Sequence, residues 1–187
     1  MKKIYLLRHT KVAVAPKHFY GRTDVPLADS FPQEAARIRN LLPEQLELPV
    51  WSSPLSRCRR LADALFAHYE TDARLLELDF GEWEMKSWEQ IDAGQRDHYL
   101  ANFDKLPPPG GESFRDLQTR AVEFLDELME MDFETGVVVA HSGVIRSLLC
   151  HVMRMPLSHL YRFDVDYGSV STIVKDRKST RVGGMNL

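Results

Sequence analysis

A chain of 187 residues, 44% hydrophobic and 27% charged, is long enough for one sizeable core and short for two, so a single domain over residues 1–187 is expected. Its formal charge of −3 argues against general nucleic-acid binding, which needs an excess of Lys and Arg to displace counterions. Met1 to Arg8 holds too few apolar residues for a signal-peptide core and no stretch could span a bilayer, so the expected place is the cytoplasm, away from membranes. Cys58 and Cys150 form no CxxC pair and read as buried thiols in a reducing compartment.

In chain order, Lys3 to Arg8 predicts a buried strand that ends at His9. A loop follows through Pro16, Tyr20-Gly21-Arg22 and Pro26. From Pro32 to Leu42, apolar residues at Ala35, Ile38, Leu41 and Leu42 have the spacing of one helix face. Pro43 and Pro49 punctuate the chain before a short strand, Val50 to Ser52, and Pro54 opens a helix striped by Leu55, Cys58, Leu61, Ala62, Leu65 and Phe66. Ala73 to Leu78 reads as extended and leads into Phe80-Gly81-Glu82-Trp83-Glu84. Trp88 to Phe103 reads as helix, against the preference of Gly94, and Pro107 to Gly111 forces a loop. Ser113 with Asp116 three residues on resembles a capping box for a long helix, Phe114 to Met131, whose Leu117, Ala121, Phe124, Leu125 and Leu128 face inward. The aliphatic strand Val137 to Ala140 precedes a helix from Val144 to Val152. Phe163 to Tyr167 and Val170 to Val174 read as two closing strands, with 175–187 a polar, partly loose tail. Strands alternating with helices around an all-aliphatic strand predict a three-layer α/β/α sandwich with a mainly parallel sheet.

Chemistry gathers at the ends of these strands, where an open α/β sheet places its ligands. A lone Arg8-His9 pair is most often incidental polarity. However, Arg57 lies in the first turn of a helix just after another strand, where free amides favour an anion. His141 ends a third strand and precedes Ser142-Gly143 at a helix start. Two arginines and two histidines at three strand ends could surround one phosphoryl group, and arginine suits that task because its planar fork donates paired hydrogen bonds without deprotonating. An alkoxide leaving phosphorus also needs a proton. Glu77, Asp79, Glu82 and Glu84 are the candidate donors, and Glu77 is best placed because it follows an extended segment before the turn at Gly81.

Rival chemistries fail on the letters. Cysteine-based phosphatases need Cys-x5-Arg, but the sixth residue past Cys58 is Ala64 and past Cys150 is Pro156. There is no Gly-x4-Gly-Lys-[Ser/Thr] loop and no His-Glu-x2-His, and His18, His68, His98, His151 and His159 lack ligand spacing.

Taken together, Arg8-His9, Ser53-Pro54-Leu55-Ser56-Arg57, Glu77 with Phe80-Gly81-Glu82-Trp83-Glu84, Pro109-Gly110-Gly111-Glu112-Ser113 and Ala140-His141-Ser142-Gly143 resemble, in order, the histidine phosphatase superfamily, also called phosphoglycerate mutase-like. The resemblance runs from about residue 3 to residue 152. It implies that His9 is the nucleophile, becoming phosphohistidine, that Arg8, Arg57 and His141 hold the phosphoryl oxygens, and that Glu77 is the proton donor; His141 is expected to act there in its protonated form. It implies no metal and no organic cofactor. Within the family, Tyr20 to Leu27 and Trp83-Glu84-Met85 look most like α-ribazole phosphatases, which act on α-ribazole 5′-phosphate in cobalamin nucleotide-loop synthesis. Most relatives have glycine after the histidine, whereas Thr10-Lys11 follow here, so Thr10 is expected to adjust the pocket rim or donate its hydroxyl.

The expected reaction is phosphomonoester hydrolysis, with the second ring nitrogen of His9 fixed by a backbone carbonyl. Thr10, Tyr20, Gly21, Arg22 and Ser142 are the expected substrate contacts. Tyr20, Trp83 and Trp88 offer aromatic surface for a ring or ribose face, unless the tryptophans are core. A broad-specificity sugar phosphatase, a phosphoglycerate mutase and a non-catalytic phosphate-binding module are the alternatives, and a homodimer stays open.

Overall fold

Apolar residues that alternate between two faces dictate layers on both sides of a sheet. In the first strand, β1 (Lys2–Arg8), Ile4 and Leu6 enter one core and Tyr5 and Leu7 the other, and all four are buried. The computed structural model describes residues 1–44 and 48–187. After β1 come α1 (Phe31–Arg39), β2 (Val50–Ser52), α2 (Ser56–Leu65), β3 (Glu70–Thr71), α3 (Ala93–Asn102), α4 (Phe114–Glu130), β4 (Thr135–Ala140), α5 (Ser142–Val152), β5 (Val170–Lys175) and β6 (Thr180–Gly184). The sheet order is β3-β2-β4-β1-β5-β6. The strands β3, β2, β4 and β1 run parallel, while β5 returns antiparallel to β1 and pairs antiparallel with β6.

Helices α4 and α5 cover one face, packing Leu117, Phe124, Leu128 and Ile145 on Ile4, Leu6 and Val138. Helices α1 and α2 cover the other, with Ile38, Leu61 and Leu65 against Leu7, Val137 and Val139. This is the mainly parallel α/β/α sandwich expected. At roughly 1.5–3 kcal/mol for each large aliphatic side chain removed from water, the two cores supply the main drive for folding. The Ser113 capping box forms as expected: its hydroxyl accepts from Asp116 N and the Asp116 carboxylate accepts from Ser113 N, both at 3.2 Å.

Four expected elements are corrected. Ala73 to Leu78 is not extended: a 3-10 turn spans Ala73–Leu75, capped by Asp72, and Arg120 then takes the carbonyls of Arg74 and Glu77 at 2.6 and 3.2 Å. The long helix from Trp88 is two pieces, a 3-10 turn at Trp88–Gln90 and α3, because Asp92 accepts from Gln95 N and caps a new start. Phe163 to Tyr167 is not a strand. Its carbonyls are taken by arginines, Phe163 O by Arg146 at 2.6 Å and Val165 O by Arg8 at 2.7 Å. The second closing strand is β6, inside the stretch expected as a loose tail, and it is reached by a turn in which Asp176 accepts from Lys178 N and Ser179 N.

Candidate active site

Parallel pairing brings the expected residues together at the C-terminal ends of the interior strands β1, β4 and β2. Arg8 is in register with Ala140 and Ser52 with Val139, so the next residues, His9, His141 and Ser53, emerge side by side. Two further backbone bonds extend the ladder beneath them, His9 N to Ala140 O at 3.1 Å and Ser53 N to Val139 O at 2.9 Å.

His9 is 2% exposed, and its Nδ1 lies 2.8 Å from Thr10 O. A carbonyl can only accept, so Nδ1 carries the proton and Nε2 keeps a lone pair. Burial, followed by the charges of Arg57 and Arg8, holds its pKa well below the usual imidazole range, so the ring is neutral at pH 7. The ring centroids of His9 and His141 are 5.2 Å apart.

Arg57 is fully buried and ties three chain segments together. It donates to Gly21 O at 2.7 Å, to Thr23 O at 3.0 Å and, through Nε, to Nδ1 of His141 at 3.3 Å. Because a guanidinium only donates, Nδ1 of His141 must accept and its proton sits on Nε2, which faces Ser53 Oγ at 2.8 Å. Burial, with Arg57 next, also holds the His141 pKa well down. In the free protein His141 is therefore neutral; the protonated form expected of it belongs to the state in which it holds a phosphoryl group. Beside it, Cys58 donates to Ala140 O at 3.4 Å, and burial raises its thiol pKa so that it stays protonated.

The loop that carries Gly21 is fixed by the candidate acid Glu84. Its carboxylate accepts from the amides of Gly21, Arg22, Thr23 and Phe80 at 2.9 to 3.1 Å. Burial works to raise the Glu84 pKa, but these bonds outweigh it and the net shift is down. Asp24 in the same loop accepts from Ser56 N and Ser56 Oγ, supplying the cap that α2 lacks locally. Gly21 approaches Leu78 O so closely that a Cβ there would lie 1.7 Å from it.

Of the four candidate acids, Glu77 alone lines the cavity of about 180 Å³ that also contains Arg8, His9, Tyr20, Ser142 and Gly143. One of its carboxyl oxygens accepts from Leu78 N at 2.9 Å and the other from Gly143 N at 3.0 Å. A Cβ on Gly143 would lie 2.3 Å from the first of these oxygens, so glycine is needed for the helix start to reach the carboxylate. Asp79 instead accepts from Gly81 N in its own turn.

The other expected contacts divide. Tyr20 and Ser142 reach the cavity, whereas Gly21 acts through its backbone on Arg57. Thr10 is fully buried, its carbonyl on His9 and its hydroxyl without a hydrogen-bond partner among the described residues. Arg22 is turned away: it binds Glu77 O at 3.1 Å and pairs with Glu112 at 3.5 Å, bracing the acid's backbone. Trp83 is core, 3% exposed and packed edge-on against Tyr99. Trp88 stacks on Phe19, and with His18 and Lys17 they line an apolar cleft of about 420 Å³. Sequence reasoning missed Arg146 and Tyr167. Arg146 lies four residues after Ser142, one helical turn on, so the spacing was a usable signal. Tyr167 lies in a segment misread as strand and carried none.

The model of the histidine phosphatase superfamily (branch 1) matches residues 4–187. A candidate phosphoserine phosphatase 2 of Hydrogenobacter thermophilus is 30% identical, over 97% of this chain and 94% of that protein. The adenosylcobalamin/alpha-ribazole phosphatase of Salmonella typhi is 26% identical, over 91% and 89%. Among solved structures, YhfR of Bacillus stearothermophilus superposes with a TM-score of 0.88 at 28% identity, covering 98% of this chain and 96% of that one. With the family model spanning nearly its whole length, the chain belongs to the histidine phosphatase superfamily, branch 1.

Proposed function

We propose that this phosphatase hydrolyses its phosphomonoester through a phosphohistidine on His9, that it works in the cytoplasm, and that α-ribazole 5′-phosphate is the preferred substrate. One observation carries the mechanism: a neutral His9, with Nδ1 spent on Thr10 O, shares one cavity with Arg8 and Glu77. In the first step the Nε2 lone pair attacks phosphorus, the ester P–O bond breaks, and protonated Glu77 gives its proton to the leaving oxygen. Each Glu77 oxygen accepts one amide and has a second lone-pair position, so the proton fits without loss of either bond. In the second step Glu77, now a carboxylate, takes a proton from water, whose oxygen attacks phosphorus and breaks the P–N bond. Arg8 and Arg57 balance the charge on the equatorial oxygens. The arriving phosphoryl charge also raises the proton affinity of His141, which is neutral only in the free protein.

The aromatic cleft supports the substrate reading. Its His18 and Phe19 also line the catalytic cavity, so a base attached through a ribose can leave the phosphate and rest on Phe19 and Trp88. A second reading, a small phosphorylated acid such as phosphoserine, is favoured by Arg146. It is a cation on the cavity wall whose Nη1 is held by Leu160 O and Phe163 O, while Nε and Nη2 make no hydrogen bond among the described residues. The experiment is kcat/KM for α-ribazole 5′-phosphate, O-phosphoserine and 3-phosphoglycerate, with phosphate release and isomerisation both followed. The highest value is expected for α-ribazole 5′-phosphate; a higher value for either acid overturns the substrate, and isomerisation faster than release overturns hydrolysis.

A further inference from the structure

Two phenols sit on the two arginines of the site. The Tyr167 ring lies 3.8 Å from the Arg8 guanidinium carbon and is tilted against the His9 ring at 5.7 Å between centroids. The Tyr20 ring lies 5.5 Å from the guanidinium carbon of Arg57. The two hydroxyls are hydrogen-bonded to each other, joining segments 147 residues apart in the chain. Each segment is also tied to its own arginine: Arg57 holds Gly21 O at 2.7 Å, and Arg8 holds Val165 O at 2.7 Å. Gly168 N, next to Tyr167, donates to the carbonyl of His9 at 3.1 Å.

We propose that Tyr20 and Tyr167 are positioning residues whose hydroxyl bond latches the Arg8 side of the phosphoryl cradle to the Arg57 side, while the Tyr167 ring sets the plane of the Arg8 guanidinium. This rests on the reading that the phosphoryl group binds between Arg8 and Arg57. A guanidinium meets phosphate oxygens through N–H edges in its own plane. A ring stacked on its face leaves those edges open and stops the plane from turning. Val165 O fixes Nη1 of Arg8, and the buried Nε of Arg8 has no hydrogen-bond partner among the described residues, which leaves that donor for an oxygen of the ligand. Burial, followed by the bond to Tyr167, pushes the Tyr20 phenol pKa up, so its hydroxyl keeps its proton at neutral pH. Neither tyrosine needs to touch substrate for this role.

The test is a double-mutant cycle on Tyr20→Phe and Tyr167→Phe, which keep both rings, with Tyr167→Leu to remove one ring. The dissociation constant of orthovanadate, which mimics five-coordinate phosphorus, is measured by competition against p-nitrophenyl phosphate, together with kcat. A neutral hydrogen bond corresponds to a factor of about 3 to 10 in affinity. Each Phe variant is expected to bind vanadate weaker by about that factor, the double variant no weaker than either single one, and Tyr167→Leu weaker still. Unchanged affinity in both Phe variants overturns the latch. Losses that multiply in the double variant overturn it too, because the hydroxyls then act separately. A lower kcat at unchanged vanadate affinity means a purely structural role and likewise overturns it. If the wild-type protein itself does not bind vanadate, the reading of the site beneath the proposal fails, a result distinct from the other three.

Discussion

His9→Ala is expected to lower kcat for p-nitrophenyl phosphate by on the order of ten-thousandfold or more, because the attacking lone pair is removed outright. Neither His141 nor Cys58 can replace it. His141 is the nearest imidazole, but it is fully buried with Nδ1 facing Arg57 and Nε2 facing Ser53. Cys58 is also fully buried, and its thiol is held protonated. The substitution leaves the Arg8 and Arg57 contacts to backbone in place, so orthovanadate affinity reports whether the cradle survives. Substantial residual turnover with an intact cradle would place the nucleophile elsewhere.

Glu77→Gln should slow esters of poorly leaving alcohols, such as sugar phosphates, by about a hundredfold to ten-thousandfold, while p-nitrophenyl phosphate, whose phenolate departs with little protonation, is far less affected in the first step. The amide is nearly isosteric and its oxygen can still accept from Gly143 N or Leu78 N. One of these two amides nevertheless faces the new NH₂ group. Gly143 lies in the first turn of α5, so a small shift of that helix start accompanies the chemical defect. Measuring kcat against leaving-group pKa separates the two, since only loss of proton transfer steepens the dependence. Glu82→Gln and Glu84→Gln serve as comparisons. Glu84→Gln should loosen the loop that holds Arg57 and weaken both ester classes alike, because its carboxylate accepts from four amides in that region. Leaving-group selectivity in either comparison variant, and none in Glu77→Gln, would mean the donor was misplaced.

How much the sequence revealed depends on where each segment finds its hydrogen-bond partners. β1 and β4 were legible as short continuous apolar runs, which strands buried on both faces require, and α4 by its 3.6-residue period, while the Ser113 cap closes on its own neighbour Asp116. The strand ends were legible too, since a His or Arg directly after an aliphatic run has one place to go. Two of the misread segments, 73–78 and 163–167, have backbone satisfied by side chains far away in sequence, whereas the one at 88–103 was broken by a local cap, Asp92 on Gln95 N. Arg120 takes the carbonyls of Arg74 and Glu77, Arg8 that of Val165, and Arg146 that of Phe163. No local period announces an arginine from another element. β3 and β6 escaped for a different reason: both are edge strands with mostly exposed residues, so they carry little apolar alternation. The same non-local logic hid the Tyr20–Tyr167 pair and turned Arg22 from an expected substrate contact into a brace for Glu77.

The central claim is a covalent phosphoryl group on His9. The measurement that tests it most directly is mass spectrometry of the enzyme quenched in alkali during turnover and mapped by peptide, since a phosphoramidate survives base and is lost in acid. The predicted result is one phosphoryl group on the peptide that contains His9, stable in base, released in acid, and absent from His9→Ala. A phosphoryl group on Cys58, on a serine or on His141, or one that persists in His9→Ala, would contradict the account.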